Sequence, residues 1–413
     1  MTDDVLTEEQ IGKIFTKWSR NKNMSFISSS IAPLSNQLEG LIGEQYFLTI
    51  TYEDDNKTSH VRFFVKIISR ENPVMYNIAR EATMFEKEAF FYNSFIPALK
   101  SFNFKCDYVA DSYFCESSAV VLEDLSEKAY KGFGKSGSLN LDHCKICLKT
   151  LARFHADGIL YQILKSKESS KEYSLTQDLP DIFEESLLEK QSSLYKYYTN
   201  SSKGLIRLAN LLLENGTVEY FSKSLLEKIQ YLIGNDCINN NFKLTITHND
   251  LWTNNFLYQY DENNLVKACK IIDFQTISLK PPAYDVLTFL FLNTRRKFRD
   301  EYLTQLLDFY YQCMSEFVEE RDFDANDVFS KEEFYSSCDY LTVYAKIHSA
   351  VDRSITLIPE EMFLKSAASD ESFSNFLFEG RPEYMLESFN TCELFKEIMT
   401  EDIVELESLL AAK

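Results

Sequence analysis

The chain has 413 residues, of which 45% are hydrophobic and 14% aromatic, so we expect two lobes rather than one core. Its net charge of −20 would repel nucleic acid and anionic membranes, which disfavours both as partners. The acidic start lacks the apolar run of a secretory signal, and we expect no membrane insertion. The nine cysteines are scattered, which is typical of a reduced protein of the cytoplasm.

The first hundred residues predict a mixture of helix and strand. Thr7 to Gln10 form a capping box, and the apolar residues that follow recur at helical spacing. Residues 46–52 and 60–68 read as two strands, with a turn at residues 53–56 between them. We therefore expect an N-terminal helix followed by a hairpin.

The next segments set the predicted division of the chain. Residues 81–99 predict one aromatic-rich helix, and residues 118–125 predict a short apolar strand. Helical patterns then dominate almost to the C-terminus. We expect an α+β fold with a small N-terminal lobe, residues 1–123, that holds an antiparallel sheet, and a larger, mainly helical C-terminal lobe, residues 124–413.

Cys144 and Cys147 form a CxxC pair on a predicted helix. A structural zinc site would need a second pair of ligands, and no second CxxC occurs in the sequence. We therefore interpret both as packing thiols.

Polar side chains interrupt two apolar segments later in the chain. Asp250 and Asn255 follow the strand-like residues 244–247, and Asp273 interrupts another apolar strand. Because the two segments read as neighbouring strands joined by a turn at residues 260–264, we expect these side chains to converge. Oxygen ligands of this kind suit Mg²⁺, so Asn255 and Asp273 are candidate ligands, and Asp250 can accept a proton from an attacking hydroxyl.

This arrangement is typical of phosphoryl transfer from ATP, which also needs a lysine to bind the nucleotide phosphates. Lys66 lies within the second predicted strand, with apolar neighbours. A glutamate on the following helix should pair with it, and Glu81, Glu86 and Glu88 are the candidates.

Three motifs carry a resemblance to a known family: HNDLWTNN at residues 248–255, IIDFQ at 271–275 and PPAYD at 281–285. They resemble the ecdysteroid kinase-like family, in the choline kinase and aminoglycoside phosphotransferase group of the protein-kinase-like fold. The helix motif of that family resembles Phe85 to Pro97, which selects Glu88 as the partner of Lys66. VLEDL at residues 121–125 resembles its hinge.

The resemblance implies a role for each matching residue. His248 should bond the backbone of the catalytic loop, and Asp285 should brace that loop rather than react. The other implied roles are the catalytic base at Asp250, the magnesium ligands Asn255 and Asp273, the phosphate-binding Lys66 with its partner Glu88, and the adenine-binding backbone of Glu123 and Leu125.

The sequence departs from the family pattern at two places. Asn249 stands where the family usually has glycine, which predicts a backbone position with positive φ, because asparagine tolerates that conformation next best. The glycine-rich loop offers only Gly40 and Gly43.

The spacing of the motifs favours a small acceptor over a protein. Only seven residues separate Asp273 from Pro281, which leaves no room for the segment on which protein kinases present a peptide. We therefore expect transfer of the γ-phosphate to the hydroxyl of an ecdysteroid or similar lipophilic alcohol, and we infer no protein partner. A choline or ethanolamine kinase, or an inactive binding protein of kinase fold, are the alternatives.

Overall fold

The computed structural model describes residues 5–20, 23–34, 43–70, 72–134, 137–183, 192–233 and 242–411. The strands are β1 Met24–Pro33, β2 Glu44–Asp54, β3 Lys57–Ile67, β4 Ser112–Glu116, β5 Ala119–Glu123, β6 Lys131–Gly132, β7 Thr245–Thr247, β8 Phe256–Tyr260, β9 Val266–Ile271 and β10 Ser278–Lys280. The helices are α1 Glu8–Ser19, α2 Pro73–Glu81, α3 Met84–Phe90, α4 Ile96–Ser101, α5 Leu141–Ser169, α6 Leu175–Asp178, α7 Pro180–Phe183, α8 Ser193–Leu212, α9 Asn215–Ile233, α10 Pro282–Asn293, α11 Arg296–Glu319, α12 Ala325–Val328, α13 Lys331–Thr356, α14 Glu360–Ser366, α15 Asp370–Ser374, α16 Arg381–Thr391 and α17 Glu393–Ala411.

The chain forms two compact units. The first comprises Met1–Gly132 with Leu257–Thr276, and the second comprises Phe133–Phe256 with Ile277–Lys413. The predicted fold class is confirmed: the protein has an α+β, protein-kinase-like two-lobe fold with an antiparallel sheet in its N-terminal part. The predicted lobe limits, 1–123 and 124–413, stay a prediction.

The first unit is built on an antiparallel sheet that, in the described residues, has five strands in the order β1-β2-β3-β5-β4. Helix α1 begins with the predicted capping box at Thr7 and packs its apolar side against this sheet. The turn between β2 and β3 consists of Asp55 and Asn56, both with positive φ, which is the backbone that a two-residue hairpin requires. The core of this layer contains Leu6, Ile11, Ile14, Phe15, Leu48, Ile50, Val61, Phe63, Val65, Ile67, Phe114, Ala119 and Val121.

The helix predicted over residues 81–99 is wrong at its start. Helix α2 ends at Glu81, the chain turns at Thr83 with φ 48°, and α3 begins at Met84. A π-helical turn, Phe91–Phe95, then joins α3 to α4. One residue with positive φ does not change the spacing of the apolar residues, so the helical pattern in the sequence continues across the break at Thr83.

The strand neighbours around the polar motifs also differ from the prediction. The turn at residues 260–264 does join two neighbouring strands, β8 and β9. The strand before Asp250, β7, pairs with β10 instead of β9. Strand pairing depends on the packing of the whole unit, which the turn sequence alone does not specify.

The second unit is mainly helical, and helices α5, α10, α11 and α13 build its centre. Cys144 and Cys147 are buried on α5, and burial raises the pKa of Cys144 to about 12, so both lie in the core as predicted. Among the described residues, no helix combines the length and the apolar character that crossing a membrane requires.

Candidate active site

Lys66 lies at the centre of a polar cluster in the first unit. Its Nζ donates to Glu88 Oε2 at 2.9 Å, to Asp273 Oδ1 at 2.5 Å and to Gln275 Oε1 at 2.8 Å. The side chains of Lys66 and Glu88 are 5% and 2% exposed, whereas that of Asp273 is 27% exposed. The protein therefore shields Glu88 and Gln275 from solvent, whereas an external ligand can reach Asp273.

The charges of this cluster depend on one another. Burial by itself would lower the pKa of Lys66, but the negative charges of Asp273 and Glu88 outweigh it and raise that pKa above its usual range. Burial also raises the pKa of Glu88 above 4.5, although the charge of Lys66 opposes this. Lys66 thus stays a cation at neutral pH and can neutralise phosphate.

Local backbone geometry brings these residues together. Lys66 points from β3 away from the core side chains Val61, Phe63 and Val65. Asp273 follows β9 with φ 69°, and the ring of Phe274 beside it stacks on Phe91 with centroids 3.7 Å apart. The positive φ turns the carboxylate towards Lys66, and the stacked ring anchors that turn in the core.

Gln275 is a member of this cluster to which the sequence assigned no role. Its Nε2 donates to Asp273 Oδ2 at 3.2 Å, while its Oε1 accepts from Lys66. Gln275 is 6% exposed, and a buried carboxamide needs partners for both of its ends. Its position two residues after Asp273 in IIDFQ is the signal that could have found it.

Gly43 stands close to Lys66 at the start of β2. Its φ is 91°, and a Cβ at this position would lie 2.9 Å from the carbonyl oxygen of Ile67. Both the backbone conformation and the close approach require glycine here. The other residue of the predicted loop, Gly40, lies outside the described residues.

The predicted adenine-binding segment follows β5. The N–H of Glu123 is engaged, because it donates to the Asp111 carbonyl at 2.8 Å. The predicted bond to adenine would therefore use the carbonyl of Glu123. Leu125 begins a short 3₁₀ turn, where the first N–H has no partner inside the helix. Arg62, another residue missed from the sequence, bonds the Asp124 carboxylate and so anchors this segment to β3.

In the second unit the structure brings Asp250 and Asn255 together. The Nδ2 of Asn255 donates to the Asp250 carboxylate at 2.9 Å and to the Asp250 carbonyl at 2.7 Å. A carboxamide whose nitrogen is engaged in this way directs its oxygen elsewhere, as a metal ligand must. The N–H of Asp250 donates to His248 Nδ1 at 3.2 Å, which confirms that His248 bonds the backbone of this loop.

Asp285 braces the same loop, as predicted. Its carboxylate accepts the N–H of His248 at 2.6 Å and that of Asn249 at 3.0 Å. His155 adds a contact of 3.2 Å from Nε2, and Tyr310 lies 2.6 Å from Nδ1 of that ring. Burial alone would raise the pKa of Asp285, but its bonds with His155 and His248 outweigh this and hold the pKa below 3.8.

The backbone at Asn249 has the predicted positive φ, at 64°. Its side chain is used as well, because Nδ2 donates to Ser278 Oγ at 2.8 Å and thereby joins the loop to β10. Asparagine here supplies both a tolerated left-handed conformation and a bond that glycine could not make.

The predicted residues therefore fall into two sets. Lys66, Glu88 and Asp273 meet in the first unit, and Asp250 meets Asn255 in the second. The candidate metal ligands offer one carboxylate and one carboxamide oxygen. Hard oxygen donors of this kind are the ligands that Mg²⁺ takes, so the donor set fits that ion.

Comparison with known proteins shows the family of the chain. A family model, the ecdysteroid kinase-like (EcKL) family, matches residues 38–323, which is more than half of the chain. No curated protein matches the sequence. The matched range includes every candidate site residue described above, from Gly43 to Tyr310. On this evidence the chain belongs to the ecdysteroid kinase-like family.

Proposed function

We propose that the protein is an ATP-dependent phosphotransferase that transfers the γ-phosphate to the hydroxyl of a small alcohol. We favour an ecdysteroid or a similar lipophilic alcohol as the acceptor. Membership of a kinase-like family supports small-molecule kinase activity in general. The observation that carries the proposal is the buried Lys66 ammonium, held between Glu88 and the accessible Asp273.

The nucleotide-binding roles follow from that observation. Lys66 would bind the phosphates of ATP, and Glu88 would fix the ammonium, because a buried lysine with one fixed carboxylate keeps its position and its charge. We assign the adenine edge to the carbonyl of Glu123 and the N–H of Leu125.

Asn255 and Asp273 would hold Mg²⁺ through oxygen atoms. Bound there, the ion would supply positive charge to the phosphate oxygens of the nucleotide. The bond from Asn255 Nδ2 to Asp250 supports this role, since it fixes the carboxamide with its nitrogen turned to Asp250.

Asp250 would orient the acceptor hydroxyl and accept its proton. The bond from Asn255 and the loop brace at Asp285 limit the positions that the Asp250 carboxylate can take. A positioned general base contributes about 10²–10⁴-fold to the rate of proton transfer steps.

The test is an ATP-consumption assay of the full chain with Mg²⁺-ATP over ecdysteroids, other lipophilic alcohols, choline and ethanolamine, with mass spectrometry of the products. Asp250→Asn should lower turnover by about 10²–10⁴-fold, because it removes the base but keeps an oxygen for Asn255. Asp308→Asn is the matched control, since Asp308 on α11 is a partly exposed carboxylate that contacts Lys331.

Two outcomes would count against the proposal. Full turnover by Asp250→Asn would remove Asp250 from the role of base. Absence of a phosphorylated product from every alcohol would favour the inactive binding protein, and a thermal shift with Mg²⁺-ATP alone would then show whether nucleotide binding remains.

A further inference from the structure

The helices of the second unit hold a polar cluster that the roles above do not use. Asp352 on α13 accepts a hydrogen bond from the Tyr197 hydroxyl at 3.3 Å, and His348 Nε2 lies 2.8 Å from its other oxygen. The Asp352 side chain is 20% exposed, so a ligand can reach it. We propose that Asp352 binds the acceptor by accepting a hydrogen bond from a second hydroxyl of a neutral, polyhydroxylated alcohol. This inference rests on the proposed function and adds a residue that would select its acceptor.

His348 holds the Asp352 carboxylate in a fixed orientation. Its Nδ1 lies 2.6 Å from the Tyr284 hydroxyl and 3.4 Å from that of Tyr198, while Nε2 faces Asp352. A neutral ring satisfies this arrangement, with Tyr284 donating to Nδ1 and the Nε2 hydrogen donating to Asp352. A carboxylate accepts about four hydrogen bonds, so capacity for a ligand hydroxyl remains.

The same helix connects this cluster to the catalytic loop. Tyr284, which bonds His348, is the neighbour of Asp285, which bonds the N–H groups of the loop before Asp250. Burial raises the pKa of Tyr197 well above its usual range, and the charges of Asp352 and Asp250 add to this. His348 links Asp352 through Tyr284 to α10, and Asp285 on the same helix holds the loop before the proposed base, so the cluster and that loop share one supporting helix.

Arg381 supports the choice of a neutral acceptor. It is fully buried, donates to Ser201 Oγ at 3.3 Å and Ser354 Oγ at 2.8 Å, and has its guanidinium 5.5 Å from the centre of the Tyr197 ring. Burial lowers the pKa of Arg381 to about 10, which still leaves the guanidinium charged at neutral pH.

A cationic acceptor would meet two obstacles at this site. Choline-type ligands are bound by aromatic faces near an uncompensated negative charge. Here the guanidinium of Arg381 lies over the ring of Tyr197, whose hydroxyl bonds Asp352, so a positive charge already occupies the neighbourhood of the ring and the carboxylate. The rings of Tyr198 and Tyr284 are buried against His348. A neutral hydroxyl requires only the free acceptor capacity of Asp352.

A close helix crossing places Arg381 beside Tyr197. Tyr197 is on α8, and Arg381 begins α16. The helices approach at Gly204, where a Cβ would lie 2.2 Å from the Met385 sulfur. A Cβ at position 204 would have to displace the flexible side chain of Met385, so α8 and α16 pack closely at this point.

The test measures acceptor binding to the full chain by calorimetry without ATP. The probes are ecdysone, analogues that each lack one hydroxyl, and choline. For the unaltered protein we expect loss of one particular hydroxyl to weaken binding about tenfold or more. Asp352→Asn should weaken ecdysone binding to the same extent and abolish the dependence on that hydroxyl. Asp308→Asn, the same change at a carboxylate outside the cluster, should alter neither.

A second variant serves as a control, in case Asp352→Asn fails to fold. Tyr197→Phe removes one oxygen atom, and we expect it to weaken ecdysone binding severalfold while the thermal shift with Mg²⁺-ATP stays unchanged. Equal losses for all analogues in Asp352→Asn would make Asp352 a structural residue and overturn the inference. Tighter binding of choline than of ecdysone, or no binding of ecdysone and its analogues, would also overturn it.

Because binding is measured without ATP, the two proposals can fail separately. Hydroxyl-dependent binding through Asp352 without any phosphorylated product would contradict only the proposed function. Ecdysone phosphorylation with an unchanged KM in Asp352→Asn would contradict only the acceptor site.

Discussion

The Asp285 carboxylate lies 2.6 Å from the backbone nitrogen of His248 and accepts its N–H. The same carboxylate accepts the N–H of Asn249, so a single buried side chain orients two successive peptide groups of the loop that leads to Asp250. Hydrogen bonds to a charged acceptor in a buried site are stronger than neutral ones. The conformation of the loop thus depends on the charge of the Asp285 carboxylate as well as on the shape of that side chain.

Asp285→Asn should lower the free energy of unfolding by about 1.5–3 kcal/mol near neutral pH, since it replaces a charged acceptor by a neutral one. The folded state holds the pKa of Asp285 below 3.8, so the stability it contributes is present above that pH and is lost as pH falls through the folded pKa. Urea unfolding of both proteins from about pH 7 to pH 3 measures this. A difference that stays constant on acidification would contradict the role of the charge.

Lys66→Met should destabilise the first unit and weaken Mg²⁺-ATP binding. Glu88 would lose the partner of its buried charge, which typically costs about 3–5 kcal/mol. The loss should be smaller at acid pH, because burial raises the pKa of Glu88 and a protonated Glu88 needs no cation. Thermal unfolding with and without Mg²⁺-ATP measures both effects.

The double variant Lys66→Met with Glu88→Met separates stability from binding. Replacing both members of a buried ion pair by apolar residues is often close to neutral, so stability should largely recover. Nucleotide binding should not recover, since the cation is still missing. If the double variant bound Mg²⁺-ATP normally, Lys66 would not be the phosphate-binding residue.

Asn249→Gly and Asn249→Ala form a matched pair. Both remove the bond from Nδ2 to Ser278, so the difference between them reports the backbone at φ 64° alone. The alanine variant should unfold about 1–2 kcal/mol more easily than the glycine variant, which is the cost of a left-handed conformation. Equal stabilities in urea titrations would mean that the loop relaxes to another conformation.

A buried ion network on the C-terminal helices supports the end of α10. Asp402 on α17 accepts from Lys346 at 2.6 Å and from Arg353 at 2.7 Å. Arg353 also donates to the carbonyls of Leu292 at 3.2 Å and Thr294 at 2.8 Å, where α10 ends. Because α10 carries Asp285, residues beyond the family match help to hold the loop before Asp250.

Asp402→Asn should cost about 3–5 kcal/mol of stability, because the buried Arg353 loses its carboxylate and Lys346 retains only Glu405. Asp308→Asn breaks a half-exposed pair with Lys331 and should cost only about 0–1 kcal/mol. Chemical denaturation of the two variants compares the same substitution in a buried and an exposed setting. Similar losses would show that the network is not the source of stability.

Several features could be predicted from the sequence because they depend on residues near one another in the chain. The capping box at Thr7 and the hairpin turn at Asp55 and Asn56 are set by local hydrogen bonding and φ preferences. The positive φ at Asn249 and the closeness of the Asp250 and Asn255 side chains arise within one short loop. The family model then extends these motifs to most of the chain.

Other features were decided only by the tertiary structure. Lys66 meets Asp273 and Gln275 across more than two hundred residues, and Tyr197 meets Asp352 across more than a hundred and fifty. The pairing of β7 with β10 is of the same kind. Hydrophobic periodicity tells which face of an element is buried, but the neighbour that covers it depends on how all elements pack together. Contacts between distant polar residues therefore follow from packing that no single segment encodes.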